Sequence, residues 1–162
     1  MRTLLLTRHA KSSWDDPRQS DFDRPLNARG ERDAPTMAER FVHRGSPTPL
    51  LVSSTARRAW QTAQAFAAAL GIPERAIVPM PNAYHAVEDT LLDIVQALPD
   101  AADTVMLFGH NPGISAFAYD LCGATGEMAT CHTVCLELDV DRWADVGRGT
   151  ARLLWEDFPK LH

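Results

Sequence analysis

Three short apolar runs, Thr3-Leu4-Leu5-Leu6, Pro49-Leu50-Leu51-Val52 and Val105-Met106-Leu107-Phe108, each break off abruptly at polar or small residues. Unbroken runs of this length read as strands buried on both faces, the pattern of a parallel sheet covered by helices. The segments between them carry helical spacing instead. Asn27 is placed to cap a helix from Ala28 in which Met37, Ala38, Phe41 and Val42 recur, and Pro35 is expected to start a new turn or kink it. Ala59, Ala63, Phe66, Ala67 and Leu70 share one face of a second helix before Gly71, and Leu91, Leu92, Ile94, Val95 and Leu98 one face of a third from Glu88 to Leu98. A short strand at Ile77-Val78, a helix near Ile114 to Leu121 and strands near Thr133 to Leu138 and Ala151 to Trp155 complete the alternation. It predicts an α/β protein, a three-layer α/β/α sandwich with a mostly parallel central sheet.

A chain of 162 residues with 45% hydrophobic content can build one core without staples, so one domain over residues 1–162 is expected. The opening Met1-Arg2-Thr3-Leu4-Leu5-Leu6-Thr7-Arg8 has too little apolar sequence for a signal peptide or a membrane span, which suggests a cytoplasmic protein with no membrane partner. Cys122, Cys131 and Cys135 are odd in number and are expected as reduced, mostly buried thiols. A net charge of −5 argues against a nucleic-acid partner, which needs a concentrated basic face.

The chemistry collects where the apolar runs stop. Ligands of open α/β sheets bind outside the carboxyl ends of the strands. Here the first strand ends in Arg8-His9, the second leads through Ser53-Ser54 into Arg58, and the third ends in Gly109-His110. Two arginines and two histidines can therefore converge on one side of the sheet. Arginine's planar fork suits the oxygens of a phosphoryl group, each charge pair being worth roughly 4 kcal/mol at about 4 Å and an effective dielectric near 20. The same cations discourage protonation of His9, leaving it a lone pair with which to attack phosphorus. If a backbone carbonyl holds its other nitrogen as N–H, His9 can form a phosphohistidine intermediate that water hydrolyses, with His110 donating a hydrogen bond to the transferred group. Lys11 and Ser12 are candidates for further phosphate contacts. No metal or cofactor is called for by this set.

With these motifs the chain resembles the histidine phosphatase superfamily, which includes the phosphoglycerate mutases, and within it the small SixA-type phosphohistidine phosphatases. Arg8-His9-Ala10-Lys11-Ser12 is similar to the family's Arg-His-Gly opening with Ala10 in the glycine position, and Arg24-Pro25-Leu26-Asn27-Ala28-Arg29-Gly30 to its Pro-Leu-x-x-x-Gly segment. Ser54 to Ala63 resembles Ser-x-x-x-Arg-Ala-x-x-Thr, which selects Arg58 over Arg57 as the phosphate ligand, and Gly109-His110-Asn111-Pro112 resembles the second-histidine motif. The resemblance spans nearly the whole chain and implies a phosphoglycerate mutase-like fold and a metal-independent phosphatase.

Many relatives carry a glutamate general acid between the second arginine and the second histidine, where this chain reads Asn82-Ala83-Tyr84-His85-Ala86. His85 and Glu88 are the acid candidates, although Glu88 also suits the first turn of a helix. An alkoxide leaving group needs a proton in the transition state, whereas the imidazole of a phosphohistidine leaves from an already labile bond. The departure therefore favours a phosphorylated histidine-containing protein as substrate and inorganic phosphate as product. The alternatives are a phosphomonoesterase of small phosphorylated metabolites and a noncatalytic phosphate-recognition module. Strand alternation puts Cys131, Thr133 and Cys135 on one face and His132 on the other, against a metal site there. Trp14 either anchors its loop or lines the mouth of the cleft.

Overall fold

The computed structural model describes residues 1–161. Its elements run β1 (Arg2–Arg8), α1 (Ala28–His43), β2 (Leu50–Ser53), α2 (Arg57–Leu70), β3 (Val78–Pro79), α3 (Glu88–Gln96), β4 (Thr104–Gly109), α4 (Gly113–Cys122), β5 (Thr133–Leu138) and β6 (Ala151–Asp157), with short 3₁₀ turns between them. The six strands lie in the order β3-β2-β4-β1-β5-β6. β1 to β4 pair in parallel and the last two strands add antiparallel at one edge. The expected sandwich is present. The third strand falls one residue later than Ile77-Val78, and β6 runs two residues past Trp155.

The apolar runs are buried on both faces because helices cover both. Leu4, Leu6, Val105 and Leu107 face a core closed by Leu91, Ile94 and Val95 of α3 and Ile114, Phe117 and Leu121 of α4. Leu5, Leu51, Met106 and Phe108 point the other way, against Met37, Ala38 and Phe41 of α1 and Ala63, Phe66 and Ala67 of α2. Each such Leu or Phe contributes about 1.5–3 kcal/mol relative to exposure, so a polar residue anywhere in β1 or β4 would be costly.

Helix ends follow from local chemistry. The Asn27 side chain accepts from the Gly30 amide at 2.9 Å and caps α1. Gly71, at φ 71°, ends α2 in the left-handed conformation that glycine adopts freely. α1 does not restart at Pro35 but continues as one element. Pro35 and Glu31 both lie on the exposed side, where water can satisfy the carbonyl that the proline cannot serve.

Gly30 fixes how α1 meets the loop after β1, since a Cβ there would overlap the Lys11 carbonyl. Gly30→Ala should therefore lower stability by about 1–3 kcal/mol in urea unfolding, despite a helix-propensity gain of roughly 1 kcal/mol. A stabilised variant would show that α1 and the loop are not in close contact.

Candidate active site

Three adjacent strands deliver the site. In the order β2-β4-β1 their carboxyl ends lie level, Ser53 beside Phe108 and Arg8 beside Gly109. Beyond the last rungs the Ser54 amide donates to the Phe108 carbonyl at 3.0 Å and the His9 amide to the Gly109 carbonyl at 3.1 Å. The residues that follow, His9, His110 and the first turn of α2 with Arg58, are thereby brought around one pocket of about 270 Å³. Arg8, His9, Arg58, His110, Lys11, Ser12 and His85 all line it. Glu88 does not; it opens α3, as the dipole favours.

His9 is 6% exposed, and its Nδ1 lies 2.7 Å from the Ala10 carbonyl. A carbonyl can only accept, so Nδ1 carries the hydrogen and Nε2 the lone pair. Arg58 Nε sits 3.3 Å from Nε2 and donates to it. Burial first, then the Arg58 and Arg8 charges, lower the His9 pKa to about 3 against the opposing Ala10 carbonyl, so the ring is neutral at pH 7. Thr62 ties nucleophile and cation together: its hydroxyl accepts from the Ala10 amide at 3.0 Å and donates to the Arg58 carbonyl at 2.8 Å. Ala10, in the position where relatives carry glycine, is wholly buried within the α1/α2 core, so its methyl is accommodated rather than disruptive.

The His110 ring lies 5.2 Å from that of His9. Ser54 Oγ accepts from the Ala56 amide at 3.2 Å and lies 2.8 Å from His110 Nε2. The other ring nitrogen of His110, Nδ1, is buried and has no hydrogen-bond partner among the described residues. Burial, then the neighbouring His9 and Arg58, lower its pKa to about 2. Arg8 gives one nitrogen to the Met128 carbonyl at 3.1 Å, and its buried Nε is likewise unpartnered among the described residues. Buried nitrogens left unpaired on Arg8 and His110, two residues that line one pocket, suit a site that receives an oxyanion.

Sequence reasoning missed the centre of the charge network. Asp21, in the turn Asp21–Asp23, holds Arg58 twice, through its carbonyl at 2.6 Å and its carboxylate at 3.0 Å. The same carboxylate accepts from Tyr84 Oη at 2.6 Å and from Arg24 Nε at 3.1 Å, with His85 Nε2 3.3 Å away. Burial pushes the Asp21 carboxyl up, but the hydrogen bonds from Tyr84, Arg58 and Arg24 outweigh it and hold the group well below the usual carboxylate range. Arg24 is itself buried, donates to Ser12 Oγ at 2.7 Å and lies 3.5 Å from the centre of the Trp14 ring. Ser12 is thus engaged inside the protein, while Lys11 is exposed at the rim. Trp14 lines the mouth. The one available signal for Arg24 was its place in the Pro-Leu segment; nothing in the Asp-rich loop distinguishes Asp21 from its neighbours.

His132 pairs with Glu156 at 2.7 Å, and no cluster of three or more metal-binding side chains occurs among the described residues. The three cysteines are free, Cys131 and Cys135 buried. No helix among the described residues is long and apolar enough to cross a membrane.

A mostly parallel sheet that brings two neutral histidines and three guanidinium groups to one end defines a phosphoglycerate mutase-like α/β protein. Comparison narrows the class. Residues 4–78 match the histidine phosphatase superfamily (branch 1). A SixA protein from Agrobacterium tumefaciens, named as a phosphohistidine phosphatase, is 30% identical, with 98% of each chain covered and a TM-score of 0.81. One from Nakamurella multipartitia is 29% identical over 98% of this chain and 96% of its own, with a TM-score of 0.79. A chloroplastic protein of Arabidopsis thaliana is 33% identical over 153 residues, 89% of this chain and 70% of its own. The chain belongs to the histidine phosphatase superfamily and is of the SixA type.

Because both histidine pKa values are lowered in the fold, the unfolded chain takes up protons first as pH falls. Their contribution to stability is complete above about pH 6.5 and is lost progressively below it, by roughly 1–2 kcal/mol per histidine by pH 5. Urea midpoints measured from pH 7 to 5 should fall with a slope that the double variant His9→Gln, His110→Gln flattens. An unchanged slope would mean that the two rings take up protons alike in the folded and unfolded chain, against the lowered pKa values.

Proposed function

We propose that residues 1–162 form one catalytic domain, a phosphatase that removes the phosphoryl group from phosphohistidine in proteins through a covalent intermediate on His9. The observation that carries this reading is the 2.7 Å contact of His9 Nδ1 with the Ala10 carbonyl, which directs the lone pair of Nε2 to the pocket. Arg58 now donates to that lone pair over a long 3.3 Å and passes to a phosphoryl oxygen when substrate enters. Arg8, Arg58 and His110 then surround the oxygens as His9 Nε2 attacks phosphorus in line. The substrate imidazole leaves, water attacks the phosphorus on His9, and inorganic phosphate is released. Guanidinium groups supply all the charge compensation, so this reaction needs no metal.

The state of Asp21 supports a phosphohistidine over a phosphoester. A carboxyl held well below the usual range is ionised at neutral pH and cannot protonate a departing alkoxide. His85 lines the pocket but is largely exposed, at 62%, and Glu88 lies outside it, so neither acid candidate is held as a buried proton donor. The SixA relative named as a phosphohistidine phosphatase agrees with this reading. A reducing cytoplasmic setting is part of it, in keeping with the three free cysteines.

Phosphate release from a histidine-phosphorylated protein should proceed in excess chelator and exceed release from sugar phosphates and nucleotides. His9→Ala should reduce it by about 10⁴-fold or more and abolish phosphoenzyme, and Arg58→Ala should lower kcat/KM by about 10²–10³-fold. Wild-type turnover in His9→Ala would refute the covalent route, and preference for small esters would identify a metabolite phosphatase. Phosphate binding without turnover of either kind would identify a recognition module.

A further inference from the structure

Asp21 is tied as closely as the nucleophile, and pairing with Arg58 and Arg24 does not use up what its carboxylate can do. Arg58 bridges the two groups: its Nε lies 3.3 Å from His9 Nε2 and its Nη2 3.0 Å from Asp21 Oδ2. Pairing Arg58 and Arg24 is one reason for a carboxylate here, and beside a phosphate dianion a second reason can lie on the leaving-group side. That reason is already displayed by the chain itself. The His85 imidazole lies with Nε2 3.3 Å from Oδ2 and its ring centre 3.9 Å from that of Tyr84, partway toward His110 at 6.3 Å. His85 is held at φ 53°, left-handed backbone that a residue with a Cβ rarely adopts, while the adjacent Ala86 carbonyl packs where Gly113 leaves no Cβ in its way. Carboxylate and aromatic face together form a seat for an imidazole.

We propose that Asp21 and the face of Tyr84 form the subsite that receives the leaving imidazole of a phosphohistidine, and that His85 is a place-holder on it. The inference rests on the phosphohistidine reading above and assigns the residues that make that substrate preferred. The ring binds as the phospho-imidazolium cation, its second nitrogen protonated from solvent before binding, with that N–H donating to Asp21 Oδ2. His9 Nε2 gives its lone pair to phosphorus, and the electron pair of the old P–N bond stays on the substrate ring nitrogen. The ring, already carrying a hydrogen on its other nitrogen, departs as neutral imidazole with no proton transferred. Asp21 thus does for the substrate ring what the Ala10 carbonyl does for His9: each holds the N–H of one imidazole while phosphorus passes between their other nitrogens. An ester offers no N–H here, and its leaving oxygen gathers negative charge beside a carboxylate. The exposed His85, whose ring makes a single long polar contact among the described residues, yields its place to the substrate.

The test compares kcat/KM for a histidine-phosphorylated peptide with that for p-nitrophenyl phosphate in wild type, Asp21→Asn and His85→Ala. Both substrates are assayed on one preparation, so their ratio does not depend on the folded fraction. Asp21→Asn should lower the ratio of peptide to aryl phosphate tenfold or more. His85→Ala should lower KM for the peptide severalfold. Equal losses on both substrates in Asp21→Asn would overturn the subsite and leave Asp21 as a positioning group for Arg58. An unchanged or raised peptide KM in His85→Ala would overturn the place-holder. Wild-type protein that turns over aryl phosphate but not the peptide would remove the underlying phosphohistidine reading, an outcome separable from the other two.

Discussion

The hydrogen bond from the His9 amide to the Gly109 carbonyl, with its counterpart from Ser54 to Phe108, is the constraint on which the rest depends. These bonds extend the ladders of β1, β4 and β2 by one residue past their regular ends and hold three strand termini level. Everything chemical then follows within a residue or two: His9 beside Gly109, His110 directly after it, and Ser54 one turn before Arg58. Slipping one strand by a single residue would turn every side chain to the opposite face and separate the two histidines.

Around that frame the protein solves an electrostatic conflict. Buried guanidinium groups are needed to receive a phosphoryl group, yet a buried cation without a partner is costly. Asp21 supplies the partner for Arg58 and Arg24, and the Ser12 hydroxyl and Trp14 ring complete the surroundings of Arg24. The histidines are kept neutral by the same burial and the same cations. A chain of net charge −5 thereby concentrates positive charge at one strand-end pocket while its remaining surface stays acidic.

Much of this was legible in the residues. Unbroken apolar runs such as Leu4-Leu5-Leu6 could only be two-faced strands, and the polar residues that ended them named His9, Arg58 and His110. Local physics governs both signals, since strand burial depends on periodicity and the end of a strand is marked by loss of it. Asp21 was not legible because its role comes from contacts 37 and 63 residues away, to Arg58 and Tyr84, and its loop holds several carboxylates of equal appearance. Glu88 was legible only ambiguously, as an acid near the right place, and its position in the first turn of α3 decided the matter.

The sequence by itself determined the alternation of strands and helices, the cap at Asn27, the end of α2 at Gly71, and which histidines and arginines stand at strand ends. Those properties depend on neighbours a few residues apart. Tertiary structure alone decided which nitrogen of His9 faces the pocket, which of the aspartates in the 15–23 loop pairs with Arg58, and that His85 rests on that aspartate. Each is a contact between segments that meet only when the sheet has assembled, and a hydrogen bond is set by angstroms that no spacing along the chain encodes.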